Sequence, residues 1–280
     1  MKERSESGPA LGDTGDLMRT GGVRPVPSRR SALARLGSLG VALGSLPGSS
    51  PARAGVYSDE TWFDAARSRG VPVRIRVPAG AGPWPAVLFS HGLGGSRTGA
   101  DVWCRAWQAA GRLVVHVEHA GSDIEVARGG RSALRSAATT AQLLARVADV
   151  GFVIDEISRR HAAALPIWSV AQVDRIGMAG HSFGGQTVQA LAGQRYPVPA
   201  ALREPRLAVF VALSSSPARA SSLSVQQQQF GAIDRPFMAV TGSLDGHPLG
   251  SVLTGVSRAS VYDGLPPGQR ALLRLEDADP

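Results

Sequence analysis

Gly180-His181-Ser182-Phe183-Gly184-Gly185 directly follows the apolar run Ile176-Gly177-Met178-Ala179. A serine with a glycine two residues to either side, closing a short strand and opening a helix, marks a turn too tight for bulky neighbours. Such a turn holds the serine in a strained backbone conformation and lifts its hydroxyl above the sheet, as a nucleophile elbow does. The bare pattern is weak, because a chain with 34 glycines and 28 serines contains it about 0.4 times by chance. Context gives it weight. Residues 173–178 have strand length, and residues 186–192 read as a helix that stops at Gly193.

The flanking sequence extends this into an α/β pattern. Residues 86–90 and 113–117 are near-continuous apolar runs, as expected of parallel strands covered on both faces, and residues 207–213 and 237–240 continue the series. Residues 71–77 alternate and contain Pro72, which predicts an early edge strand. Leu143, Val147, Val150, Ile154 and Ile157 recur at helical spacing and mark one amphipathic face. The alternation of runs and helical patterns predicts a mostly parallel sheet flanked by helices, with ligands beyond the carboxyl ends of the strands. Residues 214–234, with Ser214-Ser215-Ser216 and four consecutive glutamines from Gln226, read as a solvated flexible loop, with a cap over the site as the alternative.

Composition sets the outer bounds. At 280 residues, with 43% hydrophobic and 19% charged residues, the chain suits one large soluble domain with a full core. Of the net charge of +8, the first 54 residues carry eight basic against four acidic groups, so the remainder holds only +4. Lys2 is the sole lysine, and no basic stripe interleaved with aromatics appears, which argues against nucleic acid. The single cysteine, Cys104, lies in a helical stretch and reads as a packed side chain. No Cys/His spacing suggests a zinc site.

Residues 1–54 read as a leader distinct from a hydrolytic domain over 55–280. Ser28-Arg29-Arg30 precedes a mildly apolar, glycine-rich segment over residues 32–46, and Ala52-Arg53-Ala54 follows. The adjacent arginines resemble a twin-arginine export signal, which predicts an exported protein starting near Gly55, periplasmic or secreted. The alternative is a low-complexity N-terminus on a cytoplasmic protein. The apolar segment is shorter than the ~20 residues that span a bilayer, so no stable membrane insertion is expected.

Acyl transfer by serine needs a base, a carboxylate that orients it, and donors for the developing oxyanion. Ser182 is the candidate nucleophile, and the N–H of Phe183 is one candidate donor. The second donor is expected in the loop after an earlier strand, where Ser90-His91-Gly92-Leu93-Gly94-Gly95 stands, with the Leu93 N–H in the donor position. His91 is expected to shape this loop by hydrogen bonding. The carboxylate follows the serine in chain order, and Asp245 in Thr241-Gly242-Ser243-Leu244-Asp245-Gly246 fits.

These stretches, with Asp64-Ala65-Ala66-Arg67-Ser68-Arg69-Gly70-Val71-Pro72-Val73 and His119-Ala120-Gly121-Ser122-Asp123, resemble one branch of the α/β-hydrolases. It contains the platelet-activating factor acetylhydrolases and dienelactone hydrolase-like proteins. The resemblance implies the α/β-hydrolase fold and hydrolysis of a small-molecule or lipid ester through an acyl-enzyme, without metal or organic cofactor. It also implies catalytic roles for Ser182 and Asp245, with Leu93 and Phe183 as oxyanion donors. It further implies a histidine after the last strand, residues 271–275, where this sequence has Glu276-Asp277-Ala278-Asp279-Pro280. The expectation is therefore a chain cut short, without its base or its final helix, and poor at hydrolysing esters. Of the six histidines, His119 and His247 remain as candidate bases, His181 is expected to point away from the elbow, and His161 reads as a solvated helix end. A silent binder of lipids or esters is the competing reading.

Overall fold

The computed structural model describes residues 56–199, 201–215, 222–245 and 255–278. The leader and its arginine pair, His247 and Pro280 lie outside these residues. Eight strands form one sheet: β1 (Tyr57–Asp64), β2 (Arg69–Arg76), β3 (Trp84–Ser90), β4 (Leu113–Val117), β5 (Ala171–His181), β6 (Leu207–Leu213), β7 (Phe237–Gly242) and β8 (Arg270–Leu275). Their order across the sheet is β1-β2-β4-β3-β5-β6-β7-β8. Neighbours from β4 through β8 are parallel, while β1–β2 and β2–β4 are antiparallel.

The helices are α1 (Asp101–Ala109), α2 (Ile124–Arg128), α3 (Gly130–Ala137), α4 (Thr140–Ala162), α5 (Phe183–Ala192), α6 (Leu223–Phe230) and α7 (Gly255–Gly264). Successive strand residues divide between two buried clusters. Leu88, Val115, Met178, Ala212 and Ala239 face one, and Phe89, Val114, Ala179, Leu213 and Val240 face the other. The period of two along each strand thus buries both faces of the sheet. Val150, Val153, Ile154 and Ile157 of α4 and Val188 and Leu191 of α5 complete the first cluster. Cys104 and Trp107 of α1 complete the second. The Cys104 side chain is fully buried, and burial pushes its thiol up to about 12, so it is a packing group.

Two expectations are corrected. The segment bearing Pro72 is not an edge strand, because β1 pairs with its outer side, with Thr61 opposite Pro72. Proline is tolerated there because the Pro72 carbonyl accepts from the Glu118 N–H, one residue past the end of β4. The ring nitrogen faces the same way, away from β1, so its missing N–H spares the β1–β2 pairing and falls just outside the β2–β4 register, which starts at Val73. The glutamine run is not a loop. Ser222 caps α6 by accepting from the Val225 N–H, and Phe230 is fully buried where α6 packs on α7. In β8, Leu272, Leu273 and Leu275 are each more than a third exposed. Among the described residues no single helix is long and apolar enough to cross a membrane.

Candidate active site

Ser182 stands where β5 turns into α5, with φ 53° and ψ −113°. An L-residue in this region is strained, and the contacts around it hold it there. A Cβ at Gly184 would overlap the Ser90 carbonyl and come within 2.8 Å of the His91 carbonyl. A Cβ at Gly180 would overlap the Gly184 backbone. The Ser182 N–H donates to the Leu213 carbonyl at 2.9 Å, which ties the turn to the end of β6. Ser182 is half-buried, and Phe183 opens α5, so its N–H has no intrahelical acceptor.

The loop after β3 lies against this turn. A Cβ at Gly92 would be 3.4 Å from Ser182 Cβ and 3.1 Å from His181 Nδ1. Leu93 packs in one cluster with Phe183, Leu143 and Ala190, so the two candidate donors sit on neighbouring backbone. Among the described residues nothing accepts from the Leu93 N–H. The Gly94 N–H donates to the Ser122 carbonyl, and the Gly95 N–H donates to the Gly92 carbonyl at 3.0 Å. His91 shapes the loop as expected. Its Nε2 accepts from the His119 N–H at 3.0 Å, which assigns its proton to Nδ1, donating to the Gly92 carbonyl at 2.6 Å.

Beneath the loop is a polar cluster that the sequence reading did not find. Ser90 donates to His119 Nε2 at 2.9 Å, and His119 Nδ1 donates to Asp149 at 3.0 Å. This repeats the order of a catalytic triad, but all three side chains are buried and substrate cannot reach them. Burial brings the His119 imidazole down to about 4, its bond to Asp149 opposing the shift, so it stays neutral and engaged at both nitrogens. That excludes His119 as the base for Ser182. Asp149 also accepts from Arg67 and Arg69, at 2.8 and 2.9 Å. Arg146, one turn earlier on α4, is fully buried and bonds the loop itself. Arg146 lies at helical spacing from Leu143 and Val150 on the apolar face, and Asp149 at helical spacing from Arg146 and the buried Val153. Charged residues at those positions were the available signal.

Asp245 is fully buried just beyond β7. It accepts from the Thr241 hydroxyl at 2.8 Å and forms an ion pair with Arg258 of α7 at 2.8 Å. Arg258 also donates to the Ser214 carbonyl. The chain after β8 docks beside it, with the Ser243 N–H on the Leu275 carbonyl and the Leu244 N–H on the Ala278 carbonyl. The Asp245 carboxylate thus follows a strand end, and its observed cation is an arginine. Among the described residues no histidine hydrogen-bonds Ser182 or Asp245. His116 accepts from Arg76, and His161 bonds the Trp168 carbonyl and is only partly exposed, which corrects its reading as a solvated end. His181 lines a cavity of about 280 Å³ beyond the strand ends, together with Trp103, Leu213, Thr241 and Leu275. Its Nε2 has no partner among the described residues, and burial lowers its pKa, with Asp245 opposing and Arg258 reinforcing the shift.

Residues 72–128, from β2 through the candidate donor loop to α2, match the model of the family platelet-activating factor acetylhydrolase, isoform II. No curated protein matches the chain. Solved structures with the same fold include a dienelactone hydrolase from Anabaena variabilis, at 16% identity and TM-score 0.56. That likeness covers 81% of this chain and 88% of the other. An acetyl xylan esterase from Paenibacillus sp. R4 has 14% identity and TM-score 0.53, covering 84% and 82% of the two chains. A cold-adapted esterase from an Arctic intertidal metagenomic library has 15% identity and TM-score 0.53, covering 81% and 86%. The chain has the α/β-hydrolase fold.

Proposed function

We propose that this α/β-hydrolase-fold protein is a serine hydrolase of carboxylic esters, with Ser182 as nucleophile and the Leu93 and Phe183 N–H groups as oxyanion donors. The observation that carries the reading is the strained Ser182 backbone, wedged by Gly184 against the loop that bears Leu93. Other residues here also have positive φ, Ser214 after β6 among them. The weight therefore lies on the pairing of φ 53° with ψ −113°, outside the left-handed helical region, at a glycine-flanked strand-to-helix turn. The esterases and hydrolases of the same fold support the same chemistry.

In this reading Ser182 Oγ bonds to the acyl carbon while the carbonyl electron pair moves onto oxygen, facing the two amides. The serine proton passes to solvent water. Collapse of the intermediate expels an alkoxide, which takes a proton from water to leave as the alcohol. Water then hydrolyses the acyl-serine to the acid and free Ser182. Asp245 is the acid that would orient a base. No described histidine takes the serine proton, so turnover is expected to be low. The oxyanion hole and binding alone give about 10³–10⁴ over water in a triad enzyme stripped of its base.

One observation favours a second reading, a protein that binds a lipid or ester without turning it over: Arg258 occupies the Asp245 carboxylate. Hydrolysis of short p-nitrophenyl esters separates the two. A slow rate abolished by Ser182→Ala supports the hydrolase; equal rates in wild type and Ser182→Ala support the binder. His247→Ala is expected to change the rate by less than about twofold, whereas a loss of about 10³ or more would make His247 the base and overturn the expected low turnover. Export through the leader of residues 1–54 remains part of the proposal, and fractionation of the expressed full chain tests it.

A further inference from the structure

Arg146 is the largest fully buried side chain of the described residues, and its guanidinium is spent on the donor loop. Nη1 donates to the His91 carbonyl at 2.7 Å, and Nε donates to the Ser122 hydroxyl at 2.8 Å. Nη2 lies 3.3 Å from the Ser122 carbonyl and 3.4 Å from the Gly92 carbonyl. The same guanidinium stacks on the Phe183 ring, 4.5 Å from its centroid. One side chain therefore touches both segments that carry the proposed oxyanion donors.

The Gly92 carbonyl and the Leu93 N–H belong to one planar trans peptide, so they point in opposite directions. The Gly92 carbonyl accepts from His91 Nδ1, from the Gly95 N–H and, at longer range, from Arg146. Held inward on that side, it turns the Leu93 N–H outward. A cation behind the carbonyl also polarises the peptide and strengthens its N–H as a donor. Stability alone does not call for this arrangement, since apolar residues of similar volume often replace buried ions without loss.

We propose that Arg146 is a positioning residue for the oxyanion hole: it fixes and polarises the Gly92–Leu93 peptide and braces Phe183. The proposal rests on the reading of Ser182 as a hydrolase nucleophile. It holds Arg146 responsible for transition-state stabilisation and not for binding the ground-state ester.

The test uses full-length Arg146→Lys and Arg146→Met, each first compared with wild type by thermal unfolding. With p-nitrophenyl acetate, Arg146→Met is expected to lower kcat by about 10²–10³, the loss typical of one oxyanion donor, with KM nearly unchanged. Arg146→Lys keeps the charge but not the fork, and is expected to lose less. In both variants, amide hydrogen exchange at Gly94 and Gly95 is expected to quicken at least tenfold while α5 stays protected. A rise in KM at unchanged kcat, or a folded variant with wild-type exchange in residues 92–95, would overturn the proposal. If Arg146→Met does not fold, Arg146→Lys carries both measurements. If wild type shows no turnover dependent on Ser182, the hydrolase reading fails, and the exchange measurement still decides whether Arg146 holds the loop.

Discussion

At position 184 the elbow backbone lies against the Ser90 and His91 carbonyls, so a single methyl group has nowhere to go. Gly184→Ala must push α5 away from β3 or distort the turn that strains Ser182. We expect it to destabilise the protein by about 3 kcal/mol or more, beyond ordinary overpacking, and to abolish the reactivity of Ser182. Urea denaturation measures the first effect, and a stability within about 0.5 kcal/mol of wild type would contradict the geometry. Residues of this kind were legible in the sequence because a tight turn imposes its demand locally. Ser182, its glycines, Phe183 and the Leu93 loop all announce themselves within a few positions. The partners of Asp149 and Asp245 do not. Arg69 is 80 residues from Asp149, and Arg258 meets Asp245 only through the packing of α7. Nothing in local spacing encodes those pairs.

At the scale of elements, periodicity located α4 and most strands, and failed where tertiary packing overrides it. Pro72 suggested an edge, yet β1 and β4 flank the strand, and the proline is tolerated because it falls past the end of β4. The glutamine run suggested solvent, yet α6 is capped and anchored by Phe230. The apolar face of α4 hid two charges, Arg146 and Asp149, that hold the ends of β3 and β4 together. Those ends also carry neutral buried histidines, which has a consequence for pH. Burial brings His116 down to about 3 and His119 to about 4, from an ordinary value near 6.5. Between those values the unfolded chain binds a proton at each site and the folded chain does not, so stability falls as pH drops below about 6.5. At pH 5 each histidine is expected to remove about 2 kcal/mol relative to neutral pH. Denaturant midpoints measured from pH 7.5 to 4.5 check this; a flat profile down to pH 5 would show that these rings are protonated in the folded protein.

On the scale of the whole molecule, the alternation of apolar runs with helical patterns was enough to read a mostly parallel sheet, because strands buried on both faces leave a continuous signature. The antiparallel β1 was not seen, since four of its eight residues are charged or hydroxylic and exposed, and only Trp62 and Asp64 face inward. The sheet brings together, from chain positions some 90 residues apart, a strained serine and the loop after β3, whose Gly92 backbone lies against it. It also delivers Asp245 to the same end of the sheet, engaged by Arg258. We propose that Ser182 Oγ is poised there for attack before two backbone donors. Incubation of the full-length protein with a fluorophosphonate, carried to completion and mapped by peptide mass spectrometry, tests it most directly. One phosphonate per chain is expected, formed slowly, on Ser182, and none in Ser182→Ala. No adduct, or an equal yield in the alanine variant, would contradict it.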